Sequence, residues 1–388
     1  MTPSIASKLP DVGTTIFTVM SRLAEECGAV NLGQGFPDFE PPEALRTALG
    51  RAASSGKNQY APMAGLPRLR ELLAARLGAR AGRSVDAEHE VTITSGATEA
   101  LFDAMAAVVR PGDEVVLLDP AYDSYEPSVR LLGGRAVRVP LRLPDFSIDF
   151  ERLRAAFSPR TRLLAINFPH NPSGAVLAPG QLDELAALLR DTNVLVLSDE
   201  VYESLVYDGK KPESVLAHAE LAERSFAVGS FGKVFHATGW KVGWVTAPRE
   251  LSAELRKVHQ FVTFSTSTPA QHALADVLES APEELDSLAS FYQKKRDYFR
   301  ELLRATPLRL LDAPGTYFQL VDYSSVSALG DLEFARVLTR ELGVAAIPLS
   351  PFYETPPAAK LVRFCFAKRE PTLAEAAARL AKLQPIAR

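Results

Sequence analysis

The middle of the chain alternates short apolar runs with segments of helical periodicity. The apolar runs lie at 91–94, 114–118, 135–139, 163–167, 194–198, 226–228 and 242–246. Helical segments between them include 97–109, 125–132, 150–157 and 179–190. This alternation predicts an α/β fold with a mostly parallel seven-stranded sheet sandwiched by helices. In such sheets ligands bind at the carboxyl ends of the strands, so chemistry is expected there.

The two ends of the chain have a different pattern. Apolar positions at 16, 19, 20 and 23 predict a helix, and a Gly- and Pro-rich segment follows at 31–42. Helices are predicted at 42–51 and 66–77, and beyond residue 285 helices and strands mix as in an α+β unit. We therefore predict a large domain at 46–285, with an N-terminal arm and small domain formed by 1–45 and 286–388.

Composition and charge limit the kinds of binding partner that the chain can have. The 388 residues are 47% hydrophobic and 23% charged, with a net charge of −4 and no basic or polybasic face. This pattern disfavours nucleic acid and membrane surfaces and favours a small-molecule partner. Cys27 and Cys365 lie far apart without metal-type spacing, so we expect core thiols, no metal site and a reducing compartment, the cytoplasm.

Several predicted strands end in polar or aromatic residues. The first strand leads into Ser95–Ala100, where a helix begins and its free N–H groups could bind a phosphate. Tyr122 and Asn171 follow two other strands. Each feature also has an ordinary structural explanation, because Ser95 could simply cap the helix, Tyr122 could pack in the core and Asn171 could form a turn.

Lys233 and Asp199 add an amine and an acid at the same sheet edge. Lys233 follows the strand at 226–228 in a small-residue loop, and a desolvated lysine is a good amine nucleophile. By itself it could equally be a solvated loop residue. Asp199 ends a strand that is apolar on both faces, so its carboxylate needs a partner. An aldehyde cofactor with a protonated ring nitrogen, pyridoxal phosphate, would use both groups.

At this point the chain resembles a known family along nearly its whole length, the class I aminotransferases of the fold-type I pyridoxal-phosphate enzymes. The resemblance is carried by Asn-Leu-Gly-Gln-Gly-Phe-Pro-Asp at 31–38, Asn-Gln-Tyr-Ala-Pro at 58–62, Ser-Gly-Ala-Thr-Glu-Ala at 95–100, Pro-His-Asn-Pro-Ser-Gly at 169–174, Ser-Asp-Glu-Val-Tyr at 198–202, Ser-Phe-Gly-Lys at 230–233 and Arg363. Within the family, the wording is most similar to bacterial methionine aminotransferases and to kynurenine–glutamine aminotransferases.

The resemblance implies a role for each of these residues. Lys233 would bond the cofactor aldehyde and then carry the substrate proton, with Asp199 holding the pyridinium and Tyr122 stacking on the ring. Tyr202 and Asn171 would contact the phenolic oxygen. The phosphate would be bound by Ala97, Thr98, Ser230, Lys241 and, from a second subunit of a homodimer, Tyr60. Lys241 stands where the family most often has arginine, which keeps the charge but loses the planar fork.

The substrate residues implied by the resemblance surround a carboxylate and an apolar side chain. Arg363 would bind the carboxylate, with Gly35 and Asn171 beside it. Phe17, Tyr60 and the neighbouring subunit's Phe264 would form an apolar pocket, and Phe17 could also be an ordinary core residue. No match to the dicarboxylate-binding arginine of aspartate aminotransferases is found, so methionine and other large or aromatic amino acids are expected donors.

The residues and the resemblance are compatible with three functions. The leading one is a ping-pong transfer of the amino group from the amino acid to a 2-oxo acid. The alternative is a kynurenine- or glutamine-type aminotransferase with carbon–sulfur β-lyase activity on cysteine conjugates. A regulatory protein that binds the cofactor without turnover is disfavoured, because the first 30 residues leave no room for the DNA-binding module that such proteins carry.

Overall fold

A computed structural model describes residues 5–385. In that range the helices are α1 (Ile16–Glu26), α2 (Glu43–Ser54), α3 (Pro67–Ala81), α4 (Ala97–Val108), α5 (Tyr125–Leu131), α6 (Phe150–Ala155), α7 (Gln181–Leu189), α8 (Ala219–Ala222), α9 (Phe231–Val234), α10 (Arg249–Val262), α11 (Thr268–Ser280), α12 (Glu283–Asp286), α13 (Leu288–Leu303), α14 (Asp331–Glu341) and α15 (Glu370–Leu380). The strands are β1 (Val30–Asn31), β2 (Val91–Thr94), β3 (Glu114–Asp119), β4 (Arg135–Pro140), β5 (Thr161–Asn167), β6 (Leu195–Asp199), β7 (Ser225–Ser230), β8 (Gly243–Thr246), β9 (Arg309–Leu310), β10 (Phe318–Asp322), β11 (Val344–Ala345), β12 (Ile347–Pro348) and β13 (Leu361–Cys365).

The central sheet has seven strands in the order β2-β8-β7-β6-β5-β3-β4. The five strands from β7 to β4 pair in parallel, whereas β8 is antiparallel to both β7 and β2. The predicted seven-stranded, mostly parallel sheet is thus confirmed. The β7–β8 connection, residues 231–242, joins two antiparallel strands and keeps Lys233 next to the end of β7.

Both faces of this sheet are covered, which explains its continuous apolar strands. Side chains alternate between two buried clusters, with Val115 and Leu117 in one cluster and Val116 and Leu118 in the other. Successive residues of a strand point to opposite faces, so the two clusters lie on the two sides of the sheet. Parallel strands packed in this way bring their carboxyl ends to one edge, where the polar residues that follow them meet.

A second, antiparallel sheet of order β12-β13-β10-β9 is formed by the last third of the chain. The N-terminal segment joins this region, because β1 pairs with β11 and the Leu32 carbonyl accepts the backbone N–H of Cys365 at 2.7 Å. This arrangement agrees with an arm that packs on the small α+β unit. The domain limits at 45/46 and 285/286 stay predictions.

Three local predictions differ from the structure. Lys233 lies in the short helix α9 instead of a loop, because the Phe235 N–H bonds back to the Phe231 carbonyl at 2.9 Å. The helices α10 and α11 were not predicted from the pattern. Cys27 is exposed and is not a core thiol, whereas Cys365 is buried as expected. Among residues 5–385, no helix combines the length and apolar character needed to span a membrane.

Candidate active site

A cavity of about 280 Å³ lies where β5, β6 and β7 end, between the central sheet and the small sheet. It collects most of the residues predicted from sequence, although they are scattered over more than 340 positions of the chain. The predicted residues that line it are Phe17, Gly35, Ala97, Thr98, Tyr122, Asn171, Asp199, Tyr202, Ser230, Lys233, Lys241 and Arg363. The cavity therefore gives these separate motifs a common location.

Lys233 projects into the cavity from α9 and is partly buried. Its Nζ lies 3.4 Å from the Gly35 carbonyl oxygen and 5.6 Å from the centroid of the Tyr202 ring. Burial, with the positive charges of Arg363 and Lys241 acting in the same direction, lowers the pKa of Lys233 to about 8. At a pH near this value half of the amine is neutral and nucleophilic, whereas a solvated lysine is almost fully protonated there.

Asp199 stands at the carboxyl end of β6 with only 5% of its surface exposed. Burial raises the pKa of Asp199 to about 6, and the hydroxyl of Tyr125, which donates to Oδ2 at 2.5 Å, opposes that rise. The Asn167 amide donates to the backbone oxygen of Asp199 at 2.9 Å and fixes the end of the strand. The carboxyl is thus oriented in the cavity, where a cationic partner would favour its ionised form.

The turn before α4 forms a cradle for an anion. Gly96 has φ +84°, and a Cβ built on it would lie 3.2 Å from the Nζ of Lys241. The first N–H groups of α4, at Ala97 and Thr98, have no partner within the helix and carry its positive dipole end. Ser230 lines the same cavity at the end of β7. Backbone N–H groups, a hydroxyl and an ammonium group are the donors that a phosphate requires.

Arg363 is fully buried on β13, at the opposite side of the cavity. Its Nη1 donates to Asn171 Oδ1 at 2.6 Å and its Nη2 to the Gly33 carbonyl at 2.8 Å, while Nε has no partner. Within residues 5–385 no carboxylate forms a salt bridge with it, because both partners are neutral oxygens. A buried, uncompensated guanidinium is a strong binding site for a carboxylate ligand.

Aromatic rings surround the guanidinium of Arg363. The Phe318 ring lies 3.9 Å and the Phe17 ring 5.2 Å from its central carbon. Phe17 also packs 5.6 Å from Phe352, and the Gln34 amide donates to the Phe17 carbonyl at 3.3 Å. These contacts place Phe17 of α1 beside Arg363, where it lines the cavity and also packs against the hydrophobic core. Its role as a substrate-pocket residue stays a prediction.

Tyr60 and Phe264 do not line the cavity of their own chain. Their rings pack edge to face at 5.4 Å, with Tyr60 81% exposed and Phe264 44% exposed. Phe261 and Val262, close to Phe264 in sequence, are also exposed. The prediction that these two residues serve a neighbouring subunit remains a prediction, and their position in the single chain is compatible with it.

Two tyrosines outside the cavity lining contact its residues and were not predicted. Tyr125 donates to Asp199 and lies in the segment Asp-Pro-Ala-Tyr-Asp-Ser-Tyr at 119–125, three residues after the predicted Tyr122, so this segment was a usable signal. Tyr317 donates its hydroxyl to the Gly35 carbonyl at 2.7 Å, beside Lys233. Tyr317 and Phe318 come from the small sheet, and no local pattern pairs that segment with the central strands. The remaining unpredicted lining residues are Gln34, Phe36, Gly96, Leu101, Asn167, Val201, Gly232, Thr238 and Val242.

Comparison with known proteins gives consistent results over almost the full length. The family model for aminotransferases of class I and II matches residues 28–380. The chain is 50% identical to methionine aminotransferase from Escherichia coli over 377 residues, covering 97% of this chain and 98% of that protein. It is 37% identical to kynurenine–oxoglutarate transaminase 1 from Mus musculus, covering 95% of each.

A solved structure agrees with these relatives. YbdL from Escherichia coli, for which a methionine aminotransferase function was identified from its crystal structure and reactivity, matches with a TM-score of 0.96 at 50% identity. The match covers 98% of this chain and 100% of that one.

Proposed function

The chain belongs to the class I and II aminotransferases, and on that premise we propose that it uses pyridoxal 5′-phosphate to move the amino group of methionine to a 2-oxo acid. Other large apolar or aromatic L-amino acids are further donors, and the mechanism is ping-pong. The observation that carries the proposal is one cavity holding the Lys233 amine, the Asp199 carboxyl and the Arg363 guanidinium, whose Nε has no hydrogen-bond partner.

The cavity residues fit this cofactor by their chemistry. The amine of Lys233 suits its aldehyde, and the oriented carboxyl of Asp199 suits its ring nitrogen. The cradle at Gly96, with Lys241 above it, suits a phosphate. Tyr122 would stack on the ring, while Tyr202 and Asn171 would donate to the phenolic oxygen. When bound, the cofactor would withdraw electrons from the substrate Cα and store the amino group between the two half-reactions.

The protein's own contribution is to bind the substrate and to move one proton. Arg363 would hold the α-carboxylate with its guanidinium, which Asn171 and the Gly33 carbonyl keep in place. Lys233 Nζ would then act as the base that takes the proton from the substrate Cα and as the acid that delivers it to the C4′ carbon of the cofactor, with the reverse transfer in the second half-reaction. A buried amine with a pKa near 8 is suited to both directions of that transfer.

The donor preference rests on the apolar surroundings and on the relatives. Phe17 and Phe36 line the cavity near Arg363, and Phe264 would be added by a partner subunit. A pocket of this kind discriminates weakly between substrates with similar apolar side chains, because one methylene changes the transition-state binding energy by only about 1–3 kcal/mol. Methionine is placed first because a relative with 50% identity is a methionine aminotransferase.

The proposal includes a homodimer whose two sites are shared. Support comes from four exposed apolar or aromatic side chains, Tyr60, Phe261, Val262 and Phe264, of which Tyr60 and Phe264 are in contact. Tyr60 would reach the phosphate of the neighbouring site. We place the enzyme in the cytoplasm, an assignment supported by two free thiols of which one is exposed.

The test is the visible spectrum of the purified protein after reconstitution with pyridoxal phosphate. Methionine alone should shift the cofactor absorption, and a 2-oxo acid should restore it with release of no thiol or ammonia. Rates measured with methionine, phenylalanine, kynurenine, glutamine and aspartate then rank the donors. A protein that binds no cofactor, or that prefers aspartate, would contradict the proposal.

The second candidate is a kynurenine- or glutamine-type aminotransferase with β-lyase activity on cysteine conjugates. The specific observation in its favour is the 37% identity to kynurenine–oxoglutarate transaminase 1 of the mouse. The same experiment separates the two, because a lyase would accumulate thiol and ammonia from a cysteine conjugate while the cofactor absorption persists. A higher kcat/KM for kynurenine or glutamine than for methionine would favour the aminotransferase part of this candidate.

A further inference from the structure

Behind the anion cradle lies a buried trio of ionisable side chains outside the cavity. His259 on α10 faces Glu99 and Asp103, which are one turn apart on α4. The Nδ1 of His259 lies 2.6 Å from Glu99 Oε1 and 3.5 Å from Asp103 Oδ2. The side chains of His259 and Asp103 have no exposed surface. Groups of this kind are costly to bury, so their arrangement calls for a function.

The contacts of His259 indicate that its ring is an imidazolium. Its Nε2 lies 3.0 Å from the Met63 carbonyl oxygen, which can only accept, so this nitrogen carries a proton. Its Nδ1 faces the carboxyl groups of Glu99 and Asp103, which favour a second proton. Burial opposes the charge, but the adjacent carboxylates of Asp103 and Glu99 outweigh it and raise the pKa of His259 to about 9.

The same three residue types could also bind a metal ion, but the spacing disagrees. Two ligand atoms of a tetrahedral zinc lie about 3.3 Å apart, given bond lengths of about 2.0–2.1 Å. The 2.6 Å between Nδ1 and Glu99 Oε1 is instead the length of a charge-assisted hydrogen bond. Burial raises the pKa of Asp103 to about 6, whereas the pKa of Glu99 is lowered, so Asp103 is the first of the two carboxylates to take up a proton as the pH falls.

Glu99 connects this trio to the cradle. It is the third residue of α4, after the N-cap Gly96, and its Oε2 accepts the backbone N–H of Ser95. This contact leaves the N–H groups of Ala97 and Thr98 for a ligand. An uncompensated Glu99 so close to the cradle would repel a phosphate dianion, and the imidazolium of His259 offsets this charge, while Asp103 lies one turn farther along α4 from the cradle.

We propose that His259 is a positioning residue for the phosphate site. Its imidazolium neutralises Glu99 and holds that carboxylate against the Ser95 N–H, which fixes the cradle. Through the Met63 carbonyl the same ring tethers the loop at 58–65, which carries Tyr60. The inference rests on the proposed function, because it assumes that the anion at the cradle is the phosphate of the cofactor.

The test compares His259→Gln, Glu99→Gln/His259→Gln and a control, His218→Gln, in the full-length apoprotein. His218 also faces a carboxylate, Asp183 at 3.3 Å, but it does not line the cavity. The dissociation constants of inorganic phosphate and of pyridoxal phosphate are measured by calorimetry, with circular dichroism to check folding. We expect His259→Gln to weaken the binding of both ligands by about tenfold or more, because the buried charge-assisted hydrogen bond between His259 and Glu99 is lost.

The double variant separates charge compensation from mere packing. It replaces the ion pair with two neutral amides, so both affinities should recover to within roughly threefold of the wild type. A double variant as weak as the single one, or an unchanged single variant, would overturn the inference. Stoichiometric zinc in the wild type, with phosphate affinity lost on chelation, would replace it with a metal centre. A wild type that binds neither phosphate nor the cofactor would instead refute the proposed function.

A pH series provides the test if His259→Gln does not fold. The groups that face His259 are Glu99 and Asp103 on α4 and the Met63 carbonyl. As the pH rises through about 9, the imidazolium is lost and Glu99 becomes uncompensated. The wild type should therefore lose more phosphate affinity between pH 8 and 10 than the double variant, and parallel curves would contradict the proposal.

Discussion

Replacing Lys233 with methionine should stabilise the apoprotein, even though it abolishes activity. The amine is held at the end of β7 in a site that disfavours its charge, and its pKa falls from the ordinary 10.5 to about 8. Each pKa unit corresponds to 1.36 kcal/mol, so the 2.5-unit difference makes charged Lys233 cost about 3 kcal/mol of folding free energy. Methionine has a similar length and no charge, so it removes this cost.

The pH dependence identifies the cause. Below pH 8 the amine is protonated in both the folded and the unfolded chain, so the full cost is present. Between pH 8 and 10.5 the folded protein has released the proton that the unfolded chain retains, and the cost declines. The advantage of Lys233→Met should therefore be about 3 kcal/mol at pH 7 and should vanish above about pH 10.5.

The assay is urea unfolding of both apoproteins at several values of pH from 7 to 10.5, at one fixed protein concentration. Lys257→Met serves as the control for loss of a lysine, because its side chain is 66% exposed on α10. The difference in unfolding free energy between Lys233→Met and the wild type should fall as the pH rises, whereas the difference for Lys257→Met should not change with pH. An advantage that is the same at every pH, or a less stable Lys233→Met protein at pH 7, would refute the reasoning.

Three further predictions test the other parts of the site. Tyr125→Phe removes the hydroxyl that donates to Asp199 at 2.5 Å, so the pKa of Asp199 should rise. Equilibrium dialysis should then show that the pH below which the apoprotein loses cofactor affinity is higher by about one unit. An unchanged pH profile would show that the hydroxyl does not tune the acid. Gly96→Ala puts a side chain where φ is +84° and ψ 167°, so it should lower the free energy of unfolding by about 1–3 kcal/mol and weaken phosphate binding. The control is Gly50→Ala, a helical position with no close neighbours, which should not destabilise the protein. Mixing two inactive variants, Tyr60→Ala and Lys233→Ala, after joint unfolding and refolding should restore part of the activity, because a mixed dimer would contain one complete site if Tyr60 acts across the interface. No recovery in mixtures that form dimers would place Tyr60 in its own subunit.

The strands of the central sheet could be predicted from the sequence because their apolar character is local. The runs at 91–94 and 163–167 contain apolar or uncharged residues only, as is typical of strands buried on both faces, so they can be recognised without knowledge of their neighbours. The same locality made the residues that follow β5, β6 and β7 identifiable as candidates. Their assignment to particular roles came from the resemblance of the motifs, not from periodicity.

The helices α10 and α11 show where the pattern failed. In α10 the buried positions Leu255 and His259 are four residues apart, and His259 is a polar residue that becomes buried only because α4 provides two carboxylates. A histidine at that position has no apolar signature in the sequence. The trio of His259, Glu99 and Asp103 thus depends on a helix pair that the sequence pattern did not indicate.

The α/β class, the polar residues at the strand ends and the family of the chain could be recognised from the sequence, because each depends on a short continuous segment. That Arg363 on the small sheet, Phe17 on α1 and Lys233 after β7 line one cavity is seen only in the folded structure. The fold also determines which charges are paired, since the low pKa of Lys233 and the unpaired Nε of Arg363 follow from burial. Burial and long-range contacts depend on how distant segments pack, and no local pattern encodes that packing.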